Sequence, residues 1–352
     1  MKFKSQAIAL VSGLTCAAAL SASVRADDLP RIAQRLGELF QSVTRQRPPV
    51  QRPVFAKAHG CVQARFEVSP DLPAGLKAGV FAEAKSFPAW IRFSNDGAPT
   101  PDAQPTARGM AVKLVGVPGK KLLDGEENAQ TQDFIMQNHP IFFSDNAQDF
   151  LDFIESSLSR DPAVRTKFNQ AHPETDRILA EMDKNVLADP LDGQYWTPTP
   201  YKLGSQAMKY MAKPCSPPPA PASKPMSDPN FLRKNMAAHL QQGDACFGFY
   251  VQLQKDAESM PLDRATVLWS EEKSPFVRVA TITIPMGQNI DAPAREAACE
   301  NLSFNGWHAL PEHEPLGSIN GVRRFVYKQL ADYRRMKNHK AAGEPTAIDP
   351  NQ

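Results

Sequence analysis

The strongest restriction on the fold is a series of short segments in which Val, Phe and Ile alternate with polar residues. Residues 61–68, 90–94 and 110–117 have this pattern, and loops rich in Asp, Gly and Pro separate them. Period-two alternation places every second side chain on one face of a strand. Residues 246–253 and 276–285 repeat it later in the chain. Helical periodicity lies toward the two ends. Residues 29–43 form an amphipathic helix that the proline-rich stretch 47–53 ends. Residues 146–157, with Asn146 as cap, and 173–186 also read as helices, and the last element is a helix over about 318–338. No internal repeat is present. A β-rich centre between helices predicts an α+β chain with an antiparallel core.

Apolar residues make up 42% of the 352 and charged residues 22%, which suits a globular chain. The N-terminus reads differently. Met1-Lys2-Phe3-Lys4 is basic, residues 7–20 are small, apolar and uncharged, and Val24-Arg25-Ala26 offers a small-residue cleavage site. This is the pattern of a secretory signal over 1–26, and it predicts export, to the periplasm. Cys16 follows a poor lipobox and would leave with the signal. Losing Lys2, Lys4 and Arg25 would take the 40 basic residues to one fewer than the 38 acidic ones. So near-neutral a chain has no electrostatic reason to bind nucleic acid or an anionic membrane, and no apolar run is long enough to span a bilayer.

Cys61, Cys215, Cys246 and Cys299 would remain. Disulfides persist outside the cytoplasm. Three pairings are open, as is a set of buried free thiols, and the wide spacing argues against a zinc cluster. Residues 213–226 carry six prolines and read as a surface linker or extended arm. The organisation expected is an N-terminal arm over 27–49, one domain over 50–338 and a tail over 339–352.

The chemistry concentrates on the last helix. Arg323, Tyr327 and Arg334 fall within roughly 40° of one another at 3.6 residues per turn. Cations beside a phenol favour its phenolate, a hard anionic ligand for ferric iron. From spacing alone, basic residues and a Tyr on one face usually mean a solvated helix.

Arg323-x-Phe325-x-Tyr327, with Arg334 seven residues on, is similar to the heme-ligand motif of heme catalases. Ile91-Arg92-Phe93-Ser94, the run Ala107-Arg108-Gly109-Met110-Ala111-Val112-Lys113 and Asn138-His139-Pro140-Ile141-Phe142-Phe143 resemble further catalase motifs in the same order. The resemblance covers about residues 50–338. It implies a catalase-like antiparallel β-barrel surrounded by helices, without the C-terminal flavodoxin-like domain of the largest catalases. It also implies heme b with Tyr327 as the iron ligand and Arg323 holding it as phenolate. By the same resemblance Arg52, Arg92 and Arg334 pair with the propionates, Ser94 lies in the pocket, and Val54, Phe142, Phe143 and Phe150 wall its distal side.

The match departs at the distal histidine. In Arg52-Pro53-Val54-Phe55-Ala56-Lys57, Phe55 stands where the family has its His. A phenyl ring cannot shuttle a peroxide proton. Either His59 reaches over the iron, or His59 is a structural histidine and catalase chemistry is poor. Gln137 aligns with the family's catalytic Asn, whereas Asn138 has its side-chain chemistry, and only one of two strand neighbours can face inward. His139 reads as structural, as do His308 and His313, whose spacing Pro311 removes from any helix. No Gly-x-Ser-x-Gly elbow supports a hydrolase. The resemblance therefore implies a catalase-related heme peroxidase acting on hydrogen peroxide or organic peroxides. The alternatives are an enzyme of fatty-acid hydroperoxides, which an apolar Phe55 would suit, and a non-catalytic periplasmic heme-binding protein. Catalases usually assemble as oligomers, so the resemblance also implies a homo-oligomer.

Overall fold

In the computed structural model, residues 24–44, 47–97, 99–217 and 222–349 are described. The signal expected over 1–26 lies almost wholly outside them, as do Pro218, Pro219 and Pro221. Helix α1 (Leu29–Val43) opens the described chain. Strands β1 (Ala58–Val68), β2 (Ser86–Asn95), β3 (Arg108–Val115) and β4 (Thr131–Gln137) follow. Then come α2 (Ala147–Leu158), α3 (Pro162–Ala171), α4 (Pro173–Met182), β5 (Tyr195–Trp196), β6 (Tyr201–Leu203) and β7 (Gln206–Pro214). The chain continues through α5 (Phe231–Gln242), β8 (Ala245–Leu253), β9 (Val277–Ile284), α6 (Pro293–Asn301) and α7 (Ser318–Lys337).

All pairings are antiparallel, in the order β5-β4-β3-β2-β1-β9-β8-β7-β6, and β5 also pairs with β7. That second pairing closes β5, β4, β3, β2, β1, β9, β8 and β7 into an eight-stranded barrel and leaves β6 outside the ring. The expected antiparallel barrel with surrounding helices is the fold observed. Alternation explains the filling. Val62, Ala64, Phe66 and Val68 of β1 are buried, while Arg65 and Glu67 are exposed. Phe66 meets Phe81, Phe134 and Phe249 inside the barrel.

Several elements carry no clear sequence signal. β4 opens Thr131-Gln132-Asp133 and does not alternate, yet all three residues are buried. Its polar groups are satisfied: Lys113 Nζ lies 2.6 Å from Asp133 Oδ1. The proline-rich stretch is not all linker, because Lys213 and Pro214 end β7. Helices α3, α5 and α6 were not legible, and α4 stops at Met182, four residues short of the expected end. Asn146 caps α2 as expected, accepting from the Gln148 and Asp149 amides. Among the described residues no helix is long and apolar enough to cross a membrane.

The pairings left open for the cysteines resolve as Cys61–Cys299 and Cys215–Cys246. The first joins β1 to the end of α6 across 238 residues of sequence, a long loop whose closure restricts the unfolded chain. Cys61→Ser with Cys299→Ser is therefore expected to cost about 2–5 kcal/mol in urea unfolding. An unchanged midpoint would contradict the bridge.

Candidate functional site

α7 lies beside α1 and α2, where Val322 and Val326 pack with Ile32, Leu36, Ala147 and Leu151. Between this helical layer and the barrel wall lies a cavity of two lobes. With the solvent at their mouths included, one has a volume of about 800 Å³ and the other of about 930 Å³. Tyr327, Val326, Phe40, Pro53, Val54 and Phe55 line both.

The first lobe ends in an arginine corner. Arg52, Arg92, Arg334 and Ser94 line it together. Arg52 donates from Nη1 to Glu300 Oε2 at 2.7 Å and from Nη2 to the Leu302 carbonyl. Arg334 donates to that same carbonyl at 2.8 Å, and its Nε lies 3.7 Å from Glu300 Oε1. Arg92 has the Ala56 carbonyl at 3.4 Å, while its Nε is buried without a partner. Glu300 thus pairs with Arg52 and lies near Arg334, whereas among the described residues no carboxylate is bonded to Arg92. Burial, and after it the charge of Arg52, lowers Arg334 to about 8 and Arg92 to about 9. A guanidinium ordinarily keeps its proton far above that range. The corner therefore favours further anionic oxygens, and two guanidiniums suit carboxylates bidentately. Together with the phenol of Tyr327, this donor set fits a cofactor that carries both carboxylates and a metal.

The second lobe is apolar. Phe142 and Phe143 stack at 4.5 Å, and Phe150 lies 5.4 and 5.9 Å from them. Leu36 and Phe40 of α1 complete the wall with Phe153 and Ile154. The segment expected to be only an arm thus builds part of the site. Arg323 also lines this lobe. It donates to Thr199 Oγ1 and Asn320 Oδ1 at 3.1 and 3.2 Å and lies over the Phe142 ring.

The barrel-side wall distinguishes the candidates for acid–base chemistry. Phe55 lines both lobes with a backbone φ of +51°. Its ring lies so close to Gly109 that a Cβ there would be 2.7 Å from it. Glycine at 109 is what lets the ring lie against β3. Phe55, which the resemblance sets in place of the histidine, thus lies in the wall of both lobes.

His59 corrects the expectation of a replacement acid–base group. It sits where a bulge shifts the β1–β2 register between Ala58 and Gly60, and it lines neither lobe. Its ring is buried, Nε2 donates to Asn95 Oδ1 at 2.6 Å, and Nδ1 lies 3.8 Å from Asp102 Oδ1. Burial lowers it to about 4, against the pull of Asp102.

Gln137 lines the apolar lobe and Asn138 does not. Asn138 is buried with Oδ1 accepting from the Arg108 amide and Nδ2 donating to the Asn185 carbonyl, so its catalytic assignment is also corrected. Gln137 donates to the Ile141 and His139 carbonyls at 2.9 and 3.3 Å. Both amide hydrogens are thus engaged. His308 is buried between Asp133 and Glu126, and His313 Nε2 accepts from the Val80 amide. Sequence reasoning missed two site residues. Glu300 was signalled only by adjacency to Cys299, and Asp96, which lines the apolar lobe, stands two positions after Ser94.

Residues 33–178 match the family model described as catalase. A catalase-related peroxidase of Mycolicibacterium paratuberculosis is 29% identical over 231 residues, 59% of this chain and 66% of that protein. A catalase of Latilactobacillus sakei is 33% identical over 136 residues, 38% of this chain and 26% of its own length. A fungal catalase superposes with a TM-score of 0.63 at 18% identity, over 85% of this chain and 61% of its own. Catalase A from Saccharomyces cerevisiae gives 0.62 at 17%, over 95% and 67%. The sequence matches thus span less than two thirds of the relatives' lengths, and the structural ones establish the fold.

Two outcomes follow from the charges. Arg92→Met removes a buried cation without a carboxylate of its own, so the ligand-free protein should gain about 1 kcal/mol or more in urea unfolding. A loss would mean that Arg92 is compensated. His59 stays neutral when folded and takes a proton near pH 6.5 when unfolded. Its contribution is therefore present above pH 6.5 and lost as pH falls toward about 4. Over that window His59→Gln should flatten the stability profile by up to about 1.4 kcal/mol per pH unit; parallel profiles would refute the neutral ring.

Proposed function

We propose that this chain, a member of the catalase-like superfamily, binds heme b and acts as a peroxidase-type oxidoreductase on peroxides. One observation carries the reading: Tyr327 opens on the same cavity as Arg52, Arg92 and Arg334. When bound, the heme supplies the electrons that cleave the peroxide bond. Tyr327 would ligate its iron as phenolate, with Arg323 on the preceding turn of α7. Arg92 and Arg334 would take the propionates, and Arg52 would divide its donors between them and Glu300. The Phe142–Phe143–Phe150 cluster would keep the facing lobe dry.

The same wall argues against efficient dismutation of hydrogen peroxide. Phe55 holds no proton to move, and Gln137 spends both amide hydrogens on backbone carbonyls. Proton transfer to a departing oxygen contributes about 10²–10⁴ to such rates. The chain is therefore expected to consume peroxide with a reducing co-substrate more readily than to release oxygen. The phenyl-lined lobe also favours a second reading, in which the peroxide is an organic or fatty-acid hydroperoxide whose chain lies against Phe142, Phe143, Phe150 and Leu36. We place the protein outside the cytoplasm, in the periplasm, where its two disulfides would persist.

The test compares oxygen release and phenol oxidation by the heme-loaded protein with hydrogen peroxide and with an alkyl hydroperoxide. Phenol oxidation that exceeds oxygen release supports the proposal. Bound heme with neither reaction would indicate a heme-binding protein without turnover. Phe55→His should raise oxygen release at least about tenfold; no rise would remove Phe55 from the proton path.

A further inference from the structure

The apolar lobe contains one carboxyl group, Asp96. It follows the last residue of β2 and is partly buried. Two backbone bonds hold it in place: its amide donates to the Ala107 carbonyl at 2.9 Å, and the Gly97 carbonyl accepts from the Ala56 amide at 3.3 Å. The second bond ties the Asp96–Gly97 turn to the residue next to Phe55. Gly97 has a φ of +68° and donates its amide to Asp96 Oδ1 at 2.7 Å. One carboxyl oxygen is thereby fixed on the backbone.

The other groups lining this lobe cannot exchange a proton with substrate. Gln137 is an amide, Arg323 offers donors and no acceptor, Tyr327 is the ligand of the proposed function, and the rest are apolar except Gly97. His59 faces Asn95 and Asp102. His139 lines neither lobe. We infer that Asp96 is the acid–base group of this site and stands in, from the β2–β3 turn, for the histidine that Phe55 replaces. The inference rests on the function proposed above.

The carboxylate accepts the proton of the hydroperoxide O–H. It returns that proton to the other peroxide oxygen as the O–O bond breaks, so this oxygen leaves as water or, from an alkyl hydroperoxide, as an alcohol. Asp96 ends as it began. Over the whole reaction two phenolic O–H groups would give the two electrons and two protons, so the second peroxide oxygen leaves as water, with the bound heme as the electron carrier. Burial raises the Asp96 carboxyl above the ordinary range, opposed by the Gly97 amide and by Arg323, which brings it nearer the pH at which a proton is shared effectively.

The experiment loads the full chain and Asp96→Asn with heme and follows two rates by rapid mixing. One is the reaction with an alkyl hydroperoxide. The other is binding of hydrogen cyanide, which must give its proton to a base in the site and needs no turnover. With heme content and ferric spectrum unchanged, Asp96→Asn should slow both by about tenfold or more, and added Phe55→His should restore at least half of the loss. Equal rates with heme bound overturn the role of Asp96 and leave the proposed function standing. Failure of the unmodified chain to bind heme overturns both. Should Asp96→Asn not fold, Asp96→Glu moves the carboxyl by one methylene and should lower the cyanide rate several-fold; an unchanged rate also overturns the role.

Discussion

Three guanidiniums line the end of one cavity where Glu300 is bonded by one of them and approached by another, and the rest of the site is arranged around that imbalance. Arg52 comes from the segment before β1, Arg92 from β2 and Arg334 from α7. Taking three charges from water is costly unless anions meet them. Glu300 meets part of the demand, reached by Arg52 and approached by Arg334. It is placed by the same α6 that Cys299 ties to β1. The Leu302 carbonyl, just past α6, accepts from two of the three arginines. The Cys61–Cys299 bridge thus bears on function as well as stability, because it fixes the backbone on which the corner depends.

The fold delivers the other half of the site through the opposition of α7 to the barrel wall. Tyr327 and Arg323 are one turn apart on a helix whose other faces bury Val322 and Val326 against α1 and α2. Across from them, Gly109 lets Phe55 lie on β3. Chemistry at the wall then depends on small choices of register. The bulge at Ala58/Gly60 turns His59 into a buried network, and alternation at the end of β4 sends Gln137 inward and Asn138 away.

Much of this was legible in the sequence because it rests on local pattern. Alternation marked β1, β2, β3, β8 and β9, helical periodicity marked α1, α2 and α7, and the spacing of Arg323, Tyr327 and Arg334 placed them on one face. The resemblance brought Arg52, Arg92 and Ser94 to the same place. What stayed hidden depends on partners far apart in sequence. β4 buries polar residues that Lys113 and His308 satisfy, so it lacks alternation. The Cys61–Cys299 pairing and the place of Glu300 beside Arg52 join parts of the chain more than two hundred residues apart. His59 looked available because a bulge leaves no mark in the sequence. Asp96 looked like a loop residue because its environment is made by Phe55, Gln137 and α7.

The central claim is that Tyr327 and the arginine corner together hold a ferric heme. The direct measurement is a titration of the chain and of Tyr327→Phe with ferric heme, followed by absorption and electron paramagnetic resonance. Saturation at one heme per chain with a high-spin, phenolate-ligated spectrum is expected, with loss of tight binding and of that spectrum in Tyr327→Phe. An identical spectrum and affinity in the variant would contradict it.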